Sequence, residues 1–412
     1  MQKKTGSFML LNSAKPKVSA REGTRATMNQ FMLMVCTSVF SMTAMAEWQD
    51  PLSTPAMKTH LAHQELLLDV TDADQRLVSV GGHGHIIFSD DDGAAWRQAS
   101  VPVSVTLTSV DFSGANLGWS VGHDGIILNS TDGGESWNKQ FDGFLANEAI
   151  VSAARDNLEA IEKTAEILTT NGTDLEIDQA MMKLETAQFA LQDAEYDLET
   201  GSTKPFLDVL FWSDTSGIAV GAYGMAFMTR DGGERWFDIS SVLPNPNRLH
   251  LNAITSVGST SLVIAGEMGL LLRSDDAGES WVSQESPYDG SLFGLVDHGD
   301  DQLLFALRGH VYRSRDDGIS WNEIDTGSEQ TLLGGFADNR SVMLVGNGGA
   351  VLVLNTMFAN PKSSIIPGRK ASASVIKTDA GHFVVVGEAG VKWLSPMGQL
   401  LDRDITMIEG AN

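Results

Sequence analysis

The octapeptide Ser130-Thr-Asp-Gly-Gly-Glu-Ser-Trp137 returns four more times in variant form, as SDDDGAAW (89–96), TRDGGERW (229–236), SDDAGESW (274–281) and SRDDGISW (314–321). The common pattern is Ser/Thr-x-Asp-x-Gly-x-x-Trp, carried by Ser89, Asp91, Gly93 and Trp96; Ser130, Asp132, Gly134 and Trp137; Thr229, Asp231, Gly233 and Trp236; Ser274, Asp276, Gly278 and Trp281; and Ser314, Asp316, Gly318 and Trp321. Recurrence at this specificity marks a repeat protein. Upstream of each copy lies a Gly-x-x-Gly turn after a short apolar run. Its second glycine falls at Gly84, Gly125, Gly224, Gly269, Gly309, Gly349 and Gly390. The steps are 40 to 45 residues, except one of 99 between Gly125 and Gly224. The last two turns have no octapeptide behind them, and the Gly309 turn has Ala306 where the others have their first glycine.

One unit reads as four short strands. Thr106–Asp111 alternates apolar and polar, Gly118–Gly122 and Gly125–Asn129 are apolar runs, and Trp137–Phe141 follows the octapeptide, with turn residues between them. Seven such units predict an all-β fold, a seven-bladed β-propeller with four-stranded antiparallel blades. The octapeptide then occupies the turn between strands three and four. There its Ser/Thr and Asp side chains can bond their own backbone, its glycine supplies positive φ, and its Trp packs into the blade. The repeated aspartates are read as structural rather than catalytic.

The long step holds an insertion at 144–201, between blades 2 and 3. Ile150, Ala154, Leu158, Ile161, Ala165 and Leu168 step by three or four, as do Ile177, Met181, Leu184, Ala187, Leu191, Ala194 and Leu198. Two amphipathic helices with acidic outer faces follow from this. Asn171-Gly172 ends the first, and Thr173-Asp-Leu-Glu176 is a capping box opening the second. The hairpin carries thirteen acidic and three basic residues. The expected organisation is an export segment at 1–46, blades 1–2 at 47–143, the helical hairpin at 144–201, and blades 3–7 at 202–412.

The export reading rests on Lys3, Lys4, Lys15, Lys17, Arg21 and Arg25, followed by the apolar run Phe31–Phe40 and Ala44-Met45-Ala46, a small-residue cleavage site. Cleavage after Ala46 would leave Glu47 first, and the long basic lead makes Met28 an alternative start. The apolar run is too short to span a membrane. Cys36, the only cysteine, lacks the small residues that precede a lipidated cysteine, so the exported chain would carry none and would need no disulfides. A periplasmic location is expected. The formal charge of the whole chain is −25. That excludes nucleic acid as a partner, which demands clustered Lys and Arg, and disfavours docking on an anionic membrane by charge.

In a propeller the strand two–three turns and the connections from one blade to the next emerge on one face, which the hairpin would share. That face offers His83, His123, Asp124, Tyr223, Glu267, Met268, Arg308, Asn347 and Glu388, a candidate binding surface on rigid scaffold loops. Chemistry is harder to find. His83, His85, His123 and Asp124 lack metal-ligand spacing, no Gly-x-Ser-x-Gly elbow occurs, and neither metal nor cofactor is expected. Arg97, Arg230, Arg235, Arg273, Arg313 and Arg315 lie near the octapeptides, where they would form a local basic patch.

The octapeptides resemble Asp-box repeats, known from sialidases and related propellers. Gly118–Ile126 followed by an Asp box within a 40-residue unit further resembles the photosystem II stability/assembly factor family, over about 66–140 and 206–395. That resemblance implies an exported seven-bladed propeller that binds protein without catalysis. It also implies, for relatives in bacteria without photosystems, a client among envelope or membrane complexes such as transporters of the resistance–nodulation–division class. A monomeric accessory factor is the leading expectation. This chain departs from the family's tendency to a basic patch by being strongly acidic. The alternative is a carbohydrate-active Asp-box protein, a sialidase-like glycosidase or a lectin. A sialidase, however, needs three arginines, a Tyr–Glu nucleophile pair and an early Arg-Ile-Pro signature. Here Ile366-Pro-Gly-Arg369 is late and in the wrong order, and the chain has only four tyrosines.

Overall fold

A computed structural model describes residues 49–258, 261–355, 357–358 and 360–408. The export segment 1–46, with Met28 and Cys36, and Glu47 after it lie outside the described residues.

Among the described residues seven sheets form, each of four consecutive antiparallel strands, and one of them gains a fifth strand. Their first strands are Leu67–Ala73, Leu107–Phe112, Phe206–Phe211, Leu251–Val257, Leu292–His298, Leu332–Asp338 and Ser372–Lys377. Each first strand contacts those of the two neighbouring blades, and the seventh returns to the first, so these strands ring the centre. The expected seven-bladed propeller is what the chain forms. The second strands are almost wholly buried, for example Ile218, Ala219 and Val220. Apolar clusters lie between consecutive blades: one joins Ile218 and Val220 of blade 3 to Ile254, Leu262 and Ile264 of blade 4. A propeller thus distributes one core over seven interfaces, each dry because both contributing sheets turn an apolar face to it.

Ring closure uses the C-terminus. Thr406–Met407 adds to the outer strand of blade 1, Ala95–Gln98, as a fifth and parallel strand. The Thr406 amide donates to the Ala94 carbonyl at 3.1 Å, and the Ile408 amide to the Trp96 carbonyl at 2.8 Å. This strand covers an edge that would otherwise be unpaired.

The Asp boxes fill the strand three–four turns. In all five the Ser or Thr hydroxyl donates to the Asp Oδ1 at 2.8–3.0 Å and accepts the glycine amide at 2.8–2.9 Å. The same Oδ1 accepts the amide four residues on, at 2.8–3.0 Å. Trp96, Trp137 and Trp281 donate from Nε1 to the glycine carbonyl of their own box at 2.9–3.2 Å. The box is therefore a self-contained knot of turn bonds under a buried indole.

The expected arginine patch on this side does not form as free charge. Arg97 pairs with Asp90, Arg230 with Glu279, Arg235 with Asp231, Arg273 with Asp275, and both Arg313 and Arg315 with Asp301. Asp90, Asp231, Asp275 and Glu279 are box residues, and Asp301 opens the second strand of blade 5. Local charge is neutralised rather than accumulated.

The insertion is a helical hairpin, α1 (Gly143–Asn171) and α2 (Asp174–Thr200). Asp142 caps α1, its Oδ1 accepting the Phe144 and Leu145 amides at 3.1 and 3.2 Å. Thr173 and Glu176 form the reciprocal capping box of α2. No described helix is long and apolar enough to cross a membrane.

Candidate binding face

The Gly-x-x-Gly turns join strands two and three, and blade 2 shows why the glycines are needed. A Cβ on Gly122 would stand 2.3 Å from the Thr106 carbonyl oxygen, and one on Gly125 would stand 2.6 Å from Gly143 Cα. The first glycine admits the entry to the inner strand, and the second admits the connection leaving the blade. The amide after the first glycine, or after Ala306 in blade 5, donates to that entry carbonyl in every blade: Gly82 to Leu66, His123 to Thr106, Ala222 to Pro205, Glu267 to His250, Leu307 to Ser291, Asn347 to Thr331 and Glu388 to Ala371, all at 2.8–3.0 Å. Seven turns are thus fixed to the rigid inner ring on one face.

In blades 1 to 6 the residue before the second glycine adopts left-handed backbone angles. His83, Asp124, Tyr223, Met268 and Arg308 have φ between 50° and 59°. Glycine holds the equivalent place only in blade 6, at Gly348. A side chain at such φ is strained by roughly 1–2 kcal/mol. Four of the five project into solvent, and Asp124 is half-buried. Five consecutive blades therefore hold a side chain where glycine would fit more comfortably, and the side chains stand on the face expected to bind.

Of the other residues expected there, His123, Asn347 and Glu388 are exposed and Glu267 is half-buried. Glu267 is held inward, its Oε2 accepting the His250 amide at 3.0 Å. Tyr223 packs edge-on to His250 with centroids 4.8 Å apart, and the Lys204 ammonium lies 5.8 Å from the tyrosine ring centre. On blade 5, His310 Nδ1 is 2.7 Å from Glu323 Oε1 and its ring lies 4.4 Å from Tyr288. Lys204, His250 and Tyr288 come from the connections between blades and carry no repeat signature, so motif reading passes over them.

His83 and His85 have ring centres 6.0 Å apart. His85 is buried, and burial, followed by the neighbouring His83, lowers its pKa. No group of three or more His, Cys, Asp or Glu side chains placed to hold a metal occurs among the described residues. The Asp box carboxylates face the other way; Asp276 is held at a pKa of about 2 by hydrogen bonds from Ser280 and Ser274, a fully ionised acceptor rather than an acid. Beside it a cleft of about 310 Å³ is lined by Trp212, Leu262, Asp275 and Asp276 on the box face.

The hairpin rises from the binding face and is seated on it. The Ser202 hydroxyl donates to the Asp124 carbonyl, and Asn147 Nδ2 donates to the Asp197 and Gly201 carbonyls at 3.0 Å each. Ala146 enters the core between blades 2 and 3 with Phe141, Phe206 and Phe227, and Ile150 packs against it. Farther out, Arg248 of the blade 3–4 connection reaches Asp193 at 3.8 Å. The base of the hairpin is part of the propeller, and its far half is not.

Comparison with known proteins gives a consistent picture. A family model described as photosynthesis system II assembly factor YCF48 matches residues 94–152 and 185–390. The photosystem II assembly lipoprotein Ycf48 of Synechococcus sp. (strain CC9902) is 34% identical over 128 residues, 30% of this chain and 38% of that protein. The chloroplastic photosystem II stability/assembly factor HCF136 of Arabidopsis thaliana is 24% identical over 317 residues, 70% of this chain and 75% of that one. Among solved structures, YCF48 bound to D1 peptide superposes with a TM-score of 0.56 at 14% identity, covering 84% of this chain and 99% of that one. The WD40 propeller domain of Doa1 gives 0.54 at 13% identity, covering 84% and 96%. These solved structures speak to the fold alone.

Proposed function

This chain belongs to the family of Ycf48-type photosystem II assembly factors, and on that premise we propose that it is a non-catalytic, protein-binding accessory factor for an envelope or membrane protein complex. The proposed setting is the periplasm, reached by cleavage after Ala46, and the proposed client is a transporter of the resistance–nodulation–division class. Relatives in this family are named as assembly factors rather than enzymes. One solved propeller is YCF48 bound to a D1 peptide, which supports a polypeptide partner here.

The observation that carries the reading is the row His83, Asp124, Tyr223, Met268 and Arg308, five side chains held at left-handed φ on the face from which the hairpin rises. A rigid ring that bears local strain in order to present side chains suits recognition of a partner surface. The chemistry offered is mixed: an aromatic, a thioether, an imidazole, a carboxylate and a guanidinium, with Lys204 beside Tyr223. Such a set makes contacts and does not assemble an acid, base and nucleophile around one point.

In-cell photocrosslinking in the native host tests the proposal, with the reactive group placed at Tyr223 and at Met268. Crosslinks to subunits of one membrane complex are the expected result, and a transporter subunit among them identifies the client. Failure to enrich any protein overturns the reading and redirects work to glycan arrays and hydrolase assays. Fractionation of the host, with N-terminal sequencing of the mature chain, tests the location and the cleavage site separately.

A further inference from the structure

The seam between the helices of the hairpin has a heptad rhythm on α2. Ile177, Ala180, Leu184, Ala187, Leu191 and Ala194 alternate steps of three and four, and with Ala190 and Asp197 they are the buried or half-buried residues of the helix. These are the a and d positions of a two-helix coiled coil. Diametrically opposite lies the f position, the most solvent-exposed place in a heptad and ordinarily polar. In α2 that position is occupied by Leu175, Met182, Phe189 and Tyr196, which are 67%, 68%, 58% and 69% exposed. Met181 widens the row and is itself 51% exposed.

Four large apolar side chains at seven-residue spacing form a stripe about 30 Å long. Nothing in the propeller or in α1 covers it. A seven-residue period is the one on which a second helix repeats its contacts, knobs entering holes every two turns. Along one flank stand Asp178, Glu185 and Glu199, all exposed and none in an ion pair among the described residues. Along the other, Asp193 makes only the 3.8 Å approach to Arg248. The whole hairpin has thirteen acidic and three basic residues. A second copy of the chain would set one acidic stripe against another, and an anionic lipid surface would meet the same repulsion.

We infer that the outer face of α2 docks a basic amphipathic helix of a partner protein, its apolar residues entering between Leu175, Met182, Phe189 and Tyr196 and its Lys or Arg residues lying against Asp178, Glu185 and Glu199. This deepens the protein-binding reading given above and rests on it. Four knobs make a contact smaller than the roughly 1,200–2,000 Å² of a standard stable interface. The contact is therefore reversible, and it gains strength when the turn face engages the same client.

Photocrosslinking in the native host with the full-length chain tests it, the reactive group replacing Met182 or Phe189, with a third probe at Tyr223 on the turn face. The expected result is that both helix probes join one partner segment whose apolar residues recur at three and four and whose charge is positive. The substitutions Asp178→Lys and Glu185→Lys, both at exposed positions, then lower that yield about tenfold, with the thermal midpoint unchanged. Crosslinks from 182 and 189 to a second copy, to lipid, or to an acidic or non-helical segment overturn the inference. So does the absence of any crosslink at 182 and 189 while Tyr223 still captures a client. Silence from all three probes overturns the protein-binding reading itself.

Discussion

Asp208, in the inner strand of blade 3, accepts the amide of Ile254, in the inner strand of blade 4, at 2.8 Å, and so joins two blades through one carboxylate. Its other oxygen accepts the Ser109 hydroxyl of blade 2 at 2.7 Å. Asp69 of blade 1 binds that same Ser109 at 3.1 Å and the Val110 amide at 3.0 Å, and Asp111 accepts the Phe211 amide at 2.6 Å. Three half-buried carboxylates therefore fasten blades 1 to 4 at the ring centre. Burial, then mutual repulsion, pushes Asp111 up to about 7, and burial does the same to Asp208.

A stability profile with a mildly acidic optimum follows. An unfolded Asp titrates near its ordinary 3.8, whereas folded Asp111 and Asp208 hold their protons to about 7. The stabilisation is whole below the unfolded value and is lost as pH rises through about 7, on the order of 2 kcal/mol per carboxylate between pH 5 and 8. Below pH 4, carboxylates held low by hydrogen bonds, such as Asp276, act in the opposite sense. Urea melts across pH 4 to 9 check this. Asp208→Asn, which keeps an acceptor for Ile254, should flatten the fall between pH 5 and 8; an unchanged profile would rule out Asp208 as its source.

The Asp boxes are predicted to matter for stability and not for binding. Trp96 is completely buried, and Trp96→Ala should cost about 3–5 kcal/mol through lost burial and the cavity left behind. Asp276→Ala strips acceptors from Ser274, the Ser280 amide and the Ser280 hydroxyl and should destabilise less than Trp96→Ala, because Asp276 leaves no cavity. Denaturant melts give both values. Crosslinking from Tyr223 should persist in Asp276→Ala, because box and binding turn lie at opposite ends of strand three. Loss of the crosslink in a folded Asp276→Ala protein would place function on the box face.

Much of the architecture was legible in the sequence because repetition turns a weak local signal into a strong global one. Five boxes and seven glycine turns define the blades, and Thr173 with Glu176 marks a helix start that the structure reproduces. From the sequence either residues 48–60 or 399–408 could supply the closing strand, and Thr406–Met407, a parallel strand of two residues, is too short for any period to decide between them. No repeat flags the carboxylates at the centre, because the strand position of Asp69 and Asp208 is filled by Ser109, Ala253, Gly294, Gly334 and Ser374 in the other blades. In α2, steps of three and four led through Met181, but the seam takes Ala180 instead. Alanine lets the two helices approach closely, which turns Met181 and the Leu175–Tyr196 row outward.

The left-handed turns yield a prediction that separates binding from folding. Met268 has φ of 50° and is exposed. Met268→Gly relieves the side-chain clash of that conformation while adding unfolded-chain entropy, so stability should change by less than about 1 kcal/mol, in the stabilising direction. If the side chain is kept for a partner, the same variant should reduce client capture from Tyr223. A stabilised variant with unaltered capture would remove Met268 from the binding surface.

The hairpin itself can be shortened at a place its packing defines. Ala146, Ile150 and Ser202 hold its base to blades 2 and 3, Asn147 ties α1 to the end of α2, and among the described residues no hydrogen bond or ion pair joins residues 159–192 to the propeller. Replacing residues 158–188 with a short Asn-Gly turn leaves every base contact, along with the Arg248–Asp193 approach. The thermal midpoint of the propeller should therefore shift by no more than about 2 °C, since surface changes away from packed features stay near 0.5 kcal/mol. Client association, read by co-purification from the native host, should weaken because Leu175 and Met182 are gone. A large drop in midpoint would mean that the far half of the hairpin stabilises the fold. An unchanged midpoint with full co-purification would mean that the turn face alone holds the client.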